Sequence, residues 1–283
     1  MATSPTRAPQ TARPDWQPEK LPPFPAIALK ALNLIAGRDT SLLELCDLIR
    51  ADPAFSTAIL KIANSPLVAF SRNITSVVQA AMLLGFQRLK SVVVTVGLKA
   101  YLQGPITPLM QSCWQHSVAC AMIAEKAASG NGFDREFAYT AGIMHDIGRA
   151  AMIAAAGKKY AQVVEKEADE PCDLMALERE VFGVDHSVAG VSLVKAWDLP
   201  AAFLEIIAKH HDREARVKGT ASLIAPSCRL ADALGFSIQK FRSRLGYEEL
   251  VSAFPETARK GFPREAEAII ADIANEIRVL EAV

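Results

Sequence analysis

From Leu21 to the last residue, apolar side chains recur at helical spacing, and almost nowhere do they alternate with the two-residue period of a half-buried strand. Ala and Leu dominate these stretches, a composition that favours helix. The helix ends are written in capping residues. Ser41 with Glu44 reads as a capping box opening a helix through Ile49, and Asp52-Pro53 opens the next as N-cap and first-turn proline. Asn64-Ser65-Pro66 stops that helix, Ser76 starts a short one that Gly85 ends, and a long apolar helix follows to about Tyr101. Gly104-Pro105 then marks a lobe boundary.

Beyond it, a helix from about Pro108 to Ala128 carries His116, and another from about Asp134 leads into AGIMHDIGR. Pro171, Gly183 and Pro200 punctuate three more, and Thr220 to Leu234 forms a further one. An amphipathic helix over Glu265 to Leu280 places Ile269, Ile270, Ile273 and Ile277 on one side. The fold class expected is all-α, with about twelve to fourteen short helices.

Several classes of function are excluded by bulk properties. With 31 basic and 31 acidic residues there is no global field to draw in nucleic acid or an anionic membrane, so an anionic ligand must be caught locally. Arg72, Arg88, Lys90 and Lys99 lend the N-terminal part some basic character, but without interleaved aromatics they do not make a nucleic-acid patch. No stretch reaches the roughly eighteen uninterrupted apolar residues of a membrane span. Five cysteines, an odd number with no CxxC pair, point to reduced thiols in a cytoplasm, packed as small core residues. Trp114, Trp197 and Phe182 are read the same way, as core aromatics. The first twenty residues, rich in Pro, Thr, Ala and Arg, have the composition of a disordered tail and lack the apolar run of a secretory signal.

All five histidines fall between positions 116 and 211. A chain using histidine as an occasional core or surface residue would scatter it. Imidazole nitrogens and carboxylates together suit a borderline divalent cation, and His145-Asp146 offers one of each from adjacent positions. Neighbours on a regular helix point about 100° apart, so both reach one ion only at a helix end or over the seam between two faces. Gly148 fits such an end. His116 sits among Ala119, Cys120 and Ile123, the pattern of a buried histidine. Taken singly, His116 or His186 would be a satisfied core residue; taken with the others, a shared use is the better reading.

The run MHDIGR resembles the signature of the HD superfamily of metal-dependent phosphohydrolases, and the wider chain resembles the HDOD (HD-related output domain) family of bacterial signalling proteins. The first half carries LPPFPAIALKALNLI, LIRADPAFSTAILKIANSP and ITSVVQAAMLLGFQRLKSVVV. The second carries WQHSVACAMIAEKAA, AYTAGIMHDIGRAAM, EREVFGVDHSVAGVSLVKAWDLP and IIAKHHD, in family order from about residue 20 to about 235. The resemblance implies a multi-helical HD-like fold with an N-terminal helical lobe packed on it. In this division residues 1–19 are the tail, 20–104 the N-terminal lobe, 105–234 the metal-binding lobe and 235–283 a C-terminal extension.

The resemblance also implies a ligand set. Many HDOD proteins have lost the metal ligands of the superfamily, whereas this chain keeps them. His116, His145 and Asp146 would hold one metal with Asp232 closing the set. His186, His210 and His211 match the histidines that hold a second metal in the HD-GYP branch, with Asp146 as the bridge. The cofactor expected is one or two divalent ions, Fe, Mn, Ni or Zn. Two departures matter. The histidine doublet is followed by Asp212-Arg213-Glu214-Ala215 rather than Gly-Tyr-Pro, which speaks against cyclic di-GMP, and the usual lysine three residues after Asp146 is Arg149, which keeps a phosphate-binding charge. Asp185 and Asp212 read as solvated or supporting groups. Glu180 could orient His186 or make a surface ion pair. Two functions follow. One is a cytoplasmic signalling module that binds metal, and a nucleotide or phosphate ligand, and contacts a protein partner in trans. The other is a metal-dependent phosphohydrolase with Asp146 and Arg149 in catalytic roles.

Overall fold

The structure, a computed structural model, describes residues 21, 23–36, 42–66, 68, 74–101, 107–129, 132–169, 173–212, 217–239 and 245–282. Among these there is no strand. The N-terminal part is built from α1 (Ala26–Ile35), α2 (Leu42–Ala51), α3 (Pro53–Ala63), α4 (Val77–Leu84) and α5 (Phe86–Tyr101). The central part holds α6 (Pro108–Ala127), α7 (Arg135–Met144), α8 (Ile147–Asp169), α9 (Leu174–Phe182), α10 (His186–Ala196), α11 (Leu204–Lys209) and α12 (Ile224–Ala233). Three helices follow, α13 (Tyr247–Ser252), α14 (Glu256–Arg259) and α15 (Ala266–Glu281). The expected helix count is exceeded because α13 and α14 are too short to show a hydrophobic repeat.

The caps explain the boundaries. Asp52 accepts from the amides of Ala54 and Phe55 at 2.9 and 3.1 Å with Pro53 at the first helical position, and Ser76 accepts from Gln79 at 3.1 Å. Asp134 and Asp185 cap α7 and α10 in the same way, at 3.0 and 2.9 Å. Gly183 closes α9 in the left-handed conformation, φ 78°, which favours glycine. The segment read as one helix from Thr220 is a 3₁₀ turn, Gly219–Leu223, running into α12, where Pro226 sits in the first turn and its missing N–H costs nothing. The readings at residues 1–19, Ser41, Gly104-Pro105 and Pro171 lie outside the described residues.

Helix α6 is the axis of the molecule, packing against α7, α8, α12 and α15. Its small residues Ala119, Cys120, Ala121 and Ala124 are buried and let α7 approach closely. At the crossing, a Cβ on Gly142 would come 2.4 Å from Cα of Ala121, so glycine is what allows α6, which bears His116, and α7, which leads into His145, to touch. Buried side chains of all three parts form one continuous cluster. Trp197, after α10, stacks on Phe24 (5.5 Å between centroids) and meets the edge of Tyr101 (4.8 Å). Trp114 and Phe182 are core aromatics as expected.

The C-terminal helix is held by charge. Glu276 of α15 pairs with Arg88 at 2.7 Å and Asp272 with Lys126 at 2.7 Å. Lys99 and Lys61 donate to the carbonyls of Leu280 (2.7 Å) and Ala282 (3.2 Å), where a helix end has unpaired acceptors and a negative dipole end. The basic residues of the N-terminal part are thus turned inward: Arg88 and Lys99 bind α15, and Lys90 is buried; Arg72 lies outside the described residues. No single helix among the described residues is long and apolar enough to cross a membrane; α4 and α5 pass only as a pair, bent by 116°. Leu43 of α2 and Val78 and Met82 of α4 remain exposed, on two helices that pack together.

Candidate metal centre

His145 and Asp146 occupy the break between α7, which ends at Met144, and α8, which starts at Ile147. This is the geometry that adjacent ligands require. Gly148 does not mark the end itself: it lies in the first turn of α8, where a Cβ would stand 2.0 Å from the His186 carbonyl oxygen and 2.4 Å from the Gly190 nitrogen. Its missing side chain brings the start of α10, and with it His186, against the His145-Asp146 pair. His116 comes from the middle of α6, and His210 and His211 follow α11.

Asp146 is the hub. Its Oδ2 lies 3.9 Å from Nε2 of both His116 and His145, and its Oδ1 lies 3.3 Å from Nε2 of His210 and 3.5 Å from Nε2 of His186. Two donor groups result, one of Asp146, His186, His210 and His211, the other of His116, His145 and Cys228. Apart from His211, which is partly exposed, all of these are buried.

The tautomers follow from what the outer nitrogens touch. Nδ1 of His145 lies 2.6 Å from the Gly142 carbonyl, that of His210 2.9 Å from Ile207, and that of His116 2.8 Å from Phe236. A carbonyl only accepts, so each Nδ1 carries a proton and each Nε2 faces Asp146. His186 is fixed in the same sense by Glu178, whose Oε2 accepts from both its Nδ1 (2.7 Å) and its backbone amide (2.8 Å). Glu178 also accepts from the Tyr160 hydroxyl. Burial would raise this carboxyl, but His186 and Arg149 override it and hold it at about 2.

Arg149 lies inside this cluster, 6 % exposed. Its Nε stands 3.2 Å from Oδ2 of Asp146, and its Nη2 donates toward Nε2 of His186 at 3.1 Å and of His211 at 3.3 Å. Burial opposes the Asp146 charge, but the Arg149 guanidinium beside it holds that carboxyl well below the usual range. Burial drives His145 and His211 well below the ordinary imidazole value, and burial with Arg149 lowers His186. These three rings are therefore neutral ligands or acceptors at pH 7.

The eight predicted residues thus come together, with two differences in role. Asp232 stands on the outer side of His116, its Oδ1 3.3 Å from Nδ1, so the family-implied fourth donor faces away from the Nε2 atoms. Arg149 is not at an open phosphate-facing edge but among the imidazoles. Glu180 pairs with Lys166 at 3.7 Å on the surface, and Asp185 pairs with Arg179 at 2.6 Å while capping α10. The residue that orients His186 is Glu178, which the sequence reading passed over. A signal was present: with Leu174, Leu177 and Phe182 it forms the buried face of α9, and a glutamate on an apolar stripe calls for a partner.

The donor set fits a cation. His145 Nε2, His210 Nε2 and Oδ1 of Asp146 are buried and have no hydrogen-bond partner, and Oδ2 of Asp146 has only the Arg149 ion pair. Two atoms that each bind one ion at about 2.1 Å stand roughly 3 to 4 Å apart, and the Asp146 oxygens stand 3.3 to 3.9 Å from the four Nε2 atoms.

Comparison with known proteins bears on this arrangement. The family model described as HDOD domain matches residues 21–213. A protein of Treponema pallidum (strain Nichols), described as uncharacterized, is 24% identical over 196 residues, covering 69% of this chain and 38% of that protein. The chain therefore spans less than two fifths of the length of that curated relative. An HDOD domain protein of unknown function from Geobacter sulfurreducens superposes with TM-score 0.73 at 25% identity, over 93% of this chain and 92% of that one. A protein of Shewanella amazonensis SB2B named as a candidate phosphohydrolase superposes with TM-score 0.70 at 19% identity, over 93% and 95%, a likeness of fold alone.

Proposed function

Because the chain belongs to the HDOD domain family, we propose that it is a signal-transduction protein that holds one divalent ion at His116, His145 and Asp146 and acts by contacting a partner protein. The observation that carries this reading is the convergence of four Nε2 atoms, those of His145 and His186 on neutral rings, on one buried, ionised carboxylate. Lone pairs facing a carboxylate at such distances repel unless a cation lies between them. Beside His186 and His211 a cation is already supplied by Arg149, whose Nη2 meets both rings while its Nε meets Oδ2 of Asp146, which favours one ion over two. The ion is Fe, Mn, Ni or Zn, the metals that mixed imidazole and carboxylate donors suit. Contact with a partner is supported by the exposed Leu43, Val78 and Met82, and a cytoplasmic setting by the four buried free thiols among the described residues.

A second reading, hydrolysis of a phosphate ester, is favoured by the partly exposed His211 and by Asp232, whose side chain is 21% exposed at the cluster edge. A bound divalent ion would there supply Lewis-acid polarisation of a phosphoryl oxygen. Asp146 would help hold the ion, and Arg149 would have to leave His186 to meet the phosphate. The discriminating experiment is turnover of phosphomonoesters, nucleotides and cyclic dinucleotides with Mn²⁺ or Fe²⁺ supplied. Equal rates for wild type and Asp146→Asn are expected from the signalling reading; a substrate hydrolysed only by wild type would replace it with the hydrolase.

A further inference from the structure

On α12, Cys228 and Asp232 lie four residues apart, one turn from each other, and both reach His116, but from opposite sides of its ring. Asp232 meets the protonated Nδ1 at 3.3 Å. Cys228 meets Nε2, with Sγ at 3.5 Å. The thiol is therefore on the inner side, where His116, His145 and Cys228 bring one donor atom each within 4.8 Å of one another. His145 is 1 % exposed and its Nε2 is aimed into this space without a hydrogen-bond partner. Oδ2 of Asp146, paired with Arg149 Nε at 3.2 Å, faces the same space 3.9 Å from Nε2 of both His116 and His145. Cys228 itself is 1 % exposed, too enclosed to serve as a reactive surface thiol.

We propose that Cys228 is a metal ligand, and that the ion is held by His116 Nε2, His145 Nε2, Asp146 Oδ2 and the Cys228 sulfur. Asp232 then orients His116 through Nδ1, the part a carboxylate commonly plays behind a metal-binding histidine. The inference rests on the metal reading above and deepens it in two ways. A thiolate narrows the choice of metal, favouring Zn or Fe over Mn. Four protein donors also fill a tetrahedral ion, and closed sites of that kind are structural, whereas hydrolytic ones keep a position for water. On binding, the thiol gives its proton to solvent and a sulfur–metal bond forms, with no change of oxidation state.

The test strips the full chain of metal, reloads it with Co²⁺ alone, and reads both cobalt content and the ultraviolet spectrum. Wild type is expected to bind cobalt and show an intense thiolate-to-cobalt charge-transfer band. Cys228→Ser should lose that band and bind cobalt about tenfold more weakly or worse, whereas Cys120→Ser, whose sulfur points at the Ile224 carbonyl, should keep both. Bound cobalt without the band, at equal affinity in Cys228→Ser, overturns the thiolate ligand while the metal reading stands. A wild type that binds no cobalt overturns the metal reading and this inference with it. Should Cys228→Ser fail to fold, X-ray absorption of cobalt-loaded wild type decides: a sulfur neighbour at the metal is expected, and nitrogen and oxygen neighbours only would refute it.

Discussion

Nε2 of His210 stands 3.3 Å from Oδ1 of Asp146, while Nδ1 of the same ring gives its proton to the Ile207 carbonyl. Nε2 of His116, His145 and His186 faces the same carboxylate, and at His145 and His186 burial keeps the ring neutral. Four backbone or carboxylate acceptors, each on a different element, turn these rings the same way.

Arg149 is the fixed cation of this cluster. Removing it should leave Asp146 buried beside neutral rings, at a cost of about 3–5 kcal/mol in metal-free protein, as for other broken buried ion pairs. With excess Zn²⁺ or Mn²⁺, Arg149→Ala should recover stability and take up a second ion between Asp146, His186 and His211. Native mass spectrometry reads the ion count directly; a count that stays at the wild-type value would show that the guanidinium does not stand in for a metal.

Gly148 sets the distance between the His145-Asp146 turn and α10. Gly148→Ala puts a Cβ against backbone atoms of His186 and Gly190, which cannot swing away, so the two helices must part. The expected loss is about 1–3 kcal/mol or more by urea unfolding, together with reduced metal content. Wild-type stability and metal content in this variant would contradict the close approach.

Glu178 holds His186 from outside the cluster. Glu178→Ala leaves the His186 amide, its Nδ1 and the Tyr160 hydroxyl without their acceptor, a loss on the order of 3–5 kcal/mol. Glu178→Gln, which keeps one acceptor oxygen, should recover part of it. A thermal midpoint for Glu178→Ala within error of wild type would show that His186 is oriented by something else.

Glu125 carries the clearest pH signature away from the site. Burial raises its carboxyl above the ordinary value, and Glu136 and Glu276 add to this against the opposing Arg88. A carboxyl whose folded pKa is raised binds its proton more tightly when folded, so it adds stability as pH falls toward the ordinary glutamate value and takes it away at neutrality. Glu125→Gln should therefore be neutral or stabilising at pH 7, despite the ion pairs to Arg88 (3.8 Å) and Arg135 (3.5 Å), and should flatten the stability curve between pH 7 and pH 5. Marked destabilisation at pH 7 would mean that the pairs outweigh the burial cost.

Much of the fold could be read from the chain because its signals are local. Asp52-Pro53, Ser76 and Gly85 each determine a helix end through their own side chain or backbone, and the structure has those ends where the residues put them. The gathering of the histidines was legible through motif order. The division of labour within the cluster was not, because it depends on which face of α12 meets His116: Asp232 and Cys228 share that face by spacing, and only the packing of α12 on α6 decides which of them reaches Nε2. Glu178 was missed for a related reason, since eight residues separate it from His186 and the tight turn at Gly183 closes that distance.

A metal ion at Asp146 is the premise of every role assigned to this cluster, and the metal content of untagged protein purified without chelator measures it. About one ion of Zn or Fe per chain is expected in wild type, and loss of that ion in Asp146→Ala with the helical circular-dichroism spectrum retained. Wild-type protein free of metal, or equal content in the variant, would contradict it.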